Sequence, residues 1–305
     1  MSRLRRHFAG GIDPVITAAA IGMKPDKWQQ DVLRSPHKRD LLVVHRQGGK
    51  SATAAVAAVD VAVYEPNSLV LVVSPSQRQS QELFRTILSL YRALDRPVPA
   101  ESENALSISL DNGSRIVALP ADATTIRGYS AVKLLIVDEA AFVPDDTMAA
   151  VRPMLAVSSG RMLAMSTPFG RRGWFYGASE SQEWRVTTVT ADKCPRISAE
   201  FLAAERQALG EWRYKQEYEC QFVDIAGLMF STDDIDAIFT AGELGAIEPG
   251  ALFGSTRPTR IAPPVLLHRK PATPRCRSLE GHFWKDAYCI HCGIDQPALA
   301  SVGAA

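Results

Sequence analysis

Cysteine is scarce and scattered. The 305 residues hold 5, with Cys194 and Cys220 standing apart and Cys276, Cys289 and Cys292 grouped near the end. That count and spacing exclude a disulfide framework, and a reducing setting, the cytoplasm, is expected. An excess of charge of one sign is also missing. Lys and Arg total 34 against 33 Asp and Glu, so no global field draws the chain to a polyanion. Any nucleic-acid contact has to be a local patch. No apolar run approaches the ~20 residues of a membrane helix, so no membrane partner is expected. The Arg3-Leu4-Arg5-Arg6 start and the short apolar stretch 15–23 make a poor secretory leader, because Gly10-Gly11 and Asp13-Pro14 interrupt it. No internal repeat is visible.

What is present is enough apolar matter, 46% of the chain, for one sizeable core with an appendage. Residues 41–45, 69–73, 132–137 and 161–165 are short continuous apolar runs, as strands covered on both faces should be. Helical patterns alternate with them at 50–64, 78–94 and 146–155. Two alternating runs, 106–110 and 115–119, flank Asp111-Asn112-Gly113, which predicts a hairpin. After a run at 184–189 the chain turns helical at 198–209 and 211–219. The alternation predicts an α/β fold, a parallel sheet with helices on both faces. The expected organisation is an N-terminal arm (1–24), a catalytic domain (25–239), a Gly-, Pro- and Arg-rich linker (240–275) and a small tail (276–305).

Two motifs carry chemistry. Val44-His45-Arg46-Gln47-Gly48-Gly49-Lys50-Ser51 follows a strand and opens a helix, the setting of a phosphate-binding P-loop. Backbone N–H groups and a helix N-terminus make a positive concavity. Gly48 and Gly49 allow close approach, Lys50 meets the β/γ oxygens, and Ser51 offers a hydroxyl to Mg²⁺. Val44 stands where the usual pattern has its first Gly, and a bare Gly-Gly-Lys-Ser is as readily a chance turn. The second motif is Leu134-Leu135-Ile136-Val137-Asp138-Glu139, an apolar strand ending in two acids. A parallel sheet delivers such acids beside the cradle, where Asp138 would hold Mg²⁺ and Glu139 would polarise the attacking water. Alone, the pair is as well explained as acids at the start of a helix.

With these residues placed, the chain resembles the ATPase part of the large subunit of tailed-bacteriophage terminases, motors that package DNA into a prohead. Pro25-Asp26-Lys27-Trp28-Gln29-Gln30 resembles the adenine-recognising element of that family. Arg46-Gln47-Gly48-Gly49-Lys50-Ser51 resembles its variant cradle, which starts with Arg and tolerates loss of the first Gly. Ser74-Pro75-Ser76-Gln77-Arg78-Gln79-Ser80, Ile126-Arg127-Gly128, Ser166-Thr167-Pro168 with Phe169 to Phe175 after it, and Gln216 to Phe222 match further stretches in order. The resemblance covers roughly residues 12–239.

It implies a P-loop NTPase core of the ASCE type, hydrolysing ATP with Mg²⁺ to translocate double-stranded DNA. It also implies a homo-oligomeric ring working with a portal and a small terminase subunit in the bacterial host cytoplasm. By the same resemblance, Gln29 would pair with an adenine edge and Arg127 would act as an arginine finger toward a neighbouring subunit. Ser166 and Thr167 would couple γ-phosphate loss to the grip on DNA, and Arg171 and Arg172 are equally a DNA contact or a solvated turn.

One part departs from the family. The residues after Phe239 lack the apolar strands and spaced acids of the family's nuclease domain, so DNA cleavage is not expected and a nuclease would act separately. In its place stand Cys276, His282, Cys289 and Cys292, able to hold Zn²⁺ tetrahedrally, with His291 a weaker candidate. Two rivals stay open: a helicase-like or remodelling ATPase on the same core, and an inactive relic serving only as a binding module.

Overall fold

The computed structural model describes residues 11–223, together with the backbone of two short strands at Trp284–Lys285 and Tyr288–Cys289. The chain divides into two units, residues 1–242 and 243–305.

Eight strands of the first unit form one sheet. They are β1 (Arg39–Val44), β2 (Leu69–Ser74), β3 (Ala100–Glu103), β4 (Ser107–Leu110), β5 (Arg115–Pro120), β6 (Val132–Asp138), β7 (Arg161–Ser166) and β8 (Arg185–Val189). Their spatial order is β3-β4-β5-β2-β6-β7-β1-β8. The strands from β5 to β8 in that order run parallel. At the other edge β3, β4 and β5 pair antiparallel. The expected parallel core is therefore present, and an antiparallel edge makes the sheet as a whole mixed. The cause is the predicted turn itself: Gly113 takes φ +80° and the Asn112 side chain accepts from the Ser114 N–H at 3.0 Å, folding β4 back onto β5. The edge strand β3, Ala100 to Glu103, is exposed at every residue and has no apolar period to announce it.

β1, β2, β6 and β7 are almost wholly buried, so their sequences are continuous apolar runs rather than alternating ones. Side chains on one face meet the helices Lys50–Tyr64 and Gln77–Ala93. Those on the other meet Asp145–Val151 and Gly173–Glu180. The helix Pro14–Ala20, capped by Asp13, buries Ala18 in the first of these clusters, so this stretch of the expected arm is part of the core. The helix expected at 146–155 stops at Val151 and continues as a 3₁₀ turn over Arg152–Leu155, because Pro153 cannot supply the next helical N–H. The last helix runs Ala199–Glu217 with Gly210 at φ 75°, ψ 162° inside it. That is the break expected between 209 and 211.

Below the site, the fully buried carboxylate of Asp40 at the start of β1 accepts from Ser35 Oγ at 2.8 Å and Arg161 Nε at 3.0 Å, with Arg185 Nη1 at 3.6 Å. One acid thereby ties β1 to both neighbouring strands. In the second unit Tyr288–Cys289 pairs antiparallel with Trp284–Lys285, Cys289 opposite Trp284. Cys276, His282 and Cys292 of the expected zinc group lie outside the described residues, as do residues 224–239 and the 240–275 linker.

Candidate nucleotide site

In the sheet order β2, β6, β7 and β1 are consecutive and parallel, so their carboxyl ends share one edge. The cradle follows β1, Ser166 ends β7, and the acidic pair ends β6. Ligands of open parallel sheets bind at such an edge.

The cradle's shape follows from its residues. Gln47 has φ 60° and Gly49 φ 97°, the left-handed conformations that turn the loop into the helix Lys50–Tyr64. A Cβ on Gly48 would lie 2.5 Å from Val44 Cγ1, and one on Gly49 2.8 Å from Gln29 Nε2, so neither position admits a side chain. Val44, where the usual pattern has glycine, packs its methyl against Gly48. Lys50 is buried and folds back across the loop, donating to the Val44 carbonyl at 3.2 Å and the His45 carbonyl at 3.5 Å. His45 Nδ1 lies 2.7 Å from the Arg46 carbonyl, which can only accept, so this nitrogen carries the proton. Burial, with the Lys50 charge adding to it and the Arg46 carbonyl opposing it, holds the His45 pKa below the ordinary value.

Gln29, expected to present its amide to an adenine edge, is buried beside the cradle with both ends engaged. Its Oε1 accepts from the Asp26 N–H at 2.8 Å, and its Nε2 donates to Thr53 Oγ1 at 2.9 Å and to the Gly49 carbonyl at 3.4 Å. The amide braces the cradle helix against the helix Lys27–Leu33.

The two acids differ in their surroundings. Asp138 is buried, and desolvation pushes its pKa up to about 6, with the neighbouring Glu139 charge adding to the effect and Lys50 opposing it. Lys50 and Asp138 are thus close enough to feel each other's charge. Asp138 Oδ1 has no hydrogen-bond partner among the described residues. Glu139 sits at φ 44° on a left-handed turn, which swings its carboxylate to Ser166 Oγ, a donor at 3.3 Å. A cleft of about 390 Å³ opens here, lined by Arg46, Glu139 and Thr167 together with Gln79, Phe142 and Glu217. Arg46, exposed, has its Nε 4.0 Å from a Glu217 carboxylate oxygen, while its backbone N–H donates to the Glu217 carbonyl at 3.1 Å.

Sequence reasoning missed Glu217 and Gln79 as cleft residues. Ser76-x-x-Gln79 is a readable helix start, and Ser76 Oγ does accept from the Gln79 N–H at 3.4 Å. Nothing local announces Glu217. Arg127 is exposed after the short helix Ala123–Ile126 and does not line the cleft.

A divalent cation fits this site. Asp138 offers a carboxylate oxygen without a partner, and Ser51, exposed in the first turn of the cradle helix, offers a hydroxyl. Both are hard oxygen donors of the kind Mg²⁺ takes. Among the described residues no three His, Cys, Asp or Glu side chains cluster as an all-protein cage. A cation completed by substrate phosphates and water needs none.

A P-loop-like turn, an acidic pair and a Ser-Thr strand end on one edge narrow the family, and comparison with known proteins decides it. The model of the T4likevirus-type terminase large subunit, N-terminal, matches residues 42–237. The chain belongs to the terminase large-subunit family. It is similar to the terminase large subunit of Thermus virus P23-45, at 30% identity over 253 residues, covering 70% of this chain and 52% of that protein. The chain therefore spans about half the length of this curated relative. Among solved structures, the large terminase ATPase domain of Thermus phage P74-26 superposes with a TM-score of 0.62 at 22% identity, covering 68% of this chain and 97% of that one. The large terminase of a second thermophilic bacteriophage, in complex with ADP, superposes at 0.51 and 10% identity, covering 68% of this chain and 52% of that one. At these identities the likeness to the terminase structures is one of fold, and among the described residues no helix is long and apolar enough to cross a membrane.

Proposed function

We propose that this chain is a magnesium-dependent ATPase of the ASCE branch of P-loop proteins, the motor of viral DNA packaging, acting on double-stranded DNA. One observation supports the reading: Arg46 of the cradle, Glu139 after β6 and Thr167 after β7 line one cleft, with Ser166 bonded to Glu139 and β7 between β1 and β6. The ADP complex of the thermophilic bacteriophage terminase bears on nucleotide binding in the family.

The residues divide the work as follows. Backbone N–H groups where the turn enters the cradle helix, Gly49 to Ser51, with the Lys50 ammonium, receive the phosphates. Arg46, held near Glu217, has the reach to leave that carboxylate for a terminal phosphate oxygen. Mg²⁺, held by Asp138 and Ser51, would neutralise charge on the β and γ oxygens. Ser166 occupies one oxygen of Glu139, which leaves the other to orient the attacking water and accept its proton. Thr167, in the same cleft wall, meets the γ-phosphate and registers its loss. The exposed Arg127 serves a neighbouring subunit in a ring, with portal and small-subunit partners.

The test is ATP hydrolysis with and without linear duplex DNA, for wild type and Glu139→Ala. The reading requires duplex-stimulated hydrolysis that falls by ~10²–10⁴ in the variant, the range for a lost general base. Stimulation by single strands alone would establish the helicase-like rival, and no hydrolysis in either protein would establish the relic.

A further inference from the structure

Among the described residues, two buried polar atoms without a partner lie on adjacent strands of the same sheet edge. One is Asp138 Oδ1 and the other is Ser74 Oγ, at the end of β2. Ser74 has no accessible surface at all. An unsatisfied buried hydroxyl is uncommon and costs free energy, which invites a functional explanation.

The sheet register brings the two together. β2 pairs parallel with β6, Val72 opposite Ile136 and Val73 opposite Val137, so Ser74 and Asp138 come next in step. Side chains alternate along a strand. Val73 and Val137 lie in the cluster on one face, while Val72 and Ile136 lie in the cluster that contains the cradle helix. Ser74 and Asp138 therefore both project toward the cradle side. Adjacent strands are about 4.8 Å apart, and the two groups are not bonded to each other. Their spacing suits a shared third group that donates to both or bridges them.

We infer that Ser74 is a positioning residue for the cation site, its hydroxyl and Asp138 Oδ1 together holding one water of the magnesium–triphosphate complex. The inference rests on the proposed ATPase reading and adds a residue to it. A hydroxyl suits the role because it both donates and accepts, so it can meet such a water while the carboxylate accepts from it. Outer partners of this kind set metal affinity without touching the metal.

The experiment is a MgCl₂ titration of ATP-γ-S binding by the full chain, wild type against Ser74→Ala and Ser74→Cys, beside binding in EDTA and a melting curve without metal. The expected result is a rise of about tenfold or more in the magnesium concentration needed for half-saturation in both variants, as for lost outer partners of other metal sites. Binding in EDTA should stay at the wild-type value, and the metal-free melting temperature should hold or rise as the unsatisfied hydroxyl is removed, whereas a merely structural role predicts a fall. Cysteine keeps the volume but is a weak donor, so it should fall with alanine; were the alanine variant not to fold, the cysteine variant carries the test. Wild-type magnesium dependence in either variant overturns the assignment and marks an ordinary buried water between the two groups. A wild-type protein whose nucleotide binding ignores magnesium overturns the cation reading as well, so the two failures are distinguishable.

Discussion

The residues at this site are held in states that cost the fold something. Asp138 is the clearest. Its native pKa of about 6 lies above the ordinary carboxylate value of 3.8, so the metal-free native chain holds this proton more tightly than the unfolded chain. The contribution favours folding below about pH 4 and is lost as pH rises through about 6. Asp138→Asn, neutral throughout, should therefore melt higher than wild type at pH 8 without metal, by an amount of order 2–3 kcal/mol. The gain should shrink below pH 6 and vanish near pH 4, as thermal melts across that range would show. Asp40 works in the opposite sense. Its removal leaves Arg161 and Arg185 without their shared carboxylate, so Asp40→Ala should cost about 3 kcal/mol in chemical denaturation. Residues bound by short-range rules were legible: Lys50, Ser51, Asp138 and Glu139 stand where their strand ends imply. The partners of Gln29 were not legible, because Gly49 and Thr53 lie far along the chain and only the packed helices bring them near.

At the scale of elements, apolar period and punctuation carried the reading. The four buried strands, the cradle helix and the β4–β5 hairpin all lie within a residue or two of their expected bounds. What escaped were pieces stabilised by neighbours rather than by their own pattern: the exposed β3, and the helix Pro14–Ala20 whose short apolar run reads as an arm until Ala18 is seen in the core. The kink in Ala199–Glu217 gives an element-scale prediction. Gly210 lies at a φ, ψ pair that only glycine takes readily. Gly210→Ala, which meets no steric obstacle there, should destabilise by about 1–3 kcal/mol through backbone strain alone. Equilibrium unfolding measures this, and an unchanged midpoint would mean that the helix straightens at no cost.

For the whole molecule, the near balance of Lys and Arg with Asp and Glu bears on how DNA acts. Without a global field, stimulation of hydrolysis by duplex DNA should rest on a few local cations and weaken steeply with added salt. Hydrolysis measured between 50 and 200 mM salt, about the span over which phosphate contacts fade, should lose the DNA-stimulated part and keep the basal part. The expected zinc group is tested separately, by metal content of the purified chain. About one zinc per chain, reduced in Cys289→Ser, is the outcome for a four-ligand site.

The two backbone bonds at the end of the last long helix have a mechanical consequence. The Arg46 N–H is bonded to the Glu217 carbonyl, and the Ala191 N–H, just past β8, to the Tyr218 carbonyl. Consecutive peptides of the chain's exit are therefore stitched to the anion-binding loop and to the sheet's rim. Were the loop to shift on binding a ligand, the first of these bonds would pass the displacement to the peptide of Glu217 while the second anchors that of Tyr218.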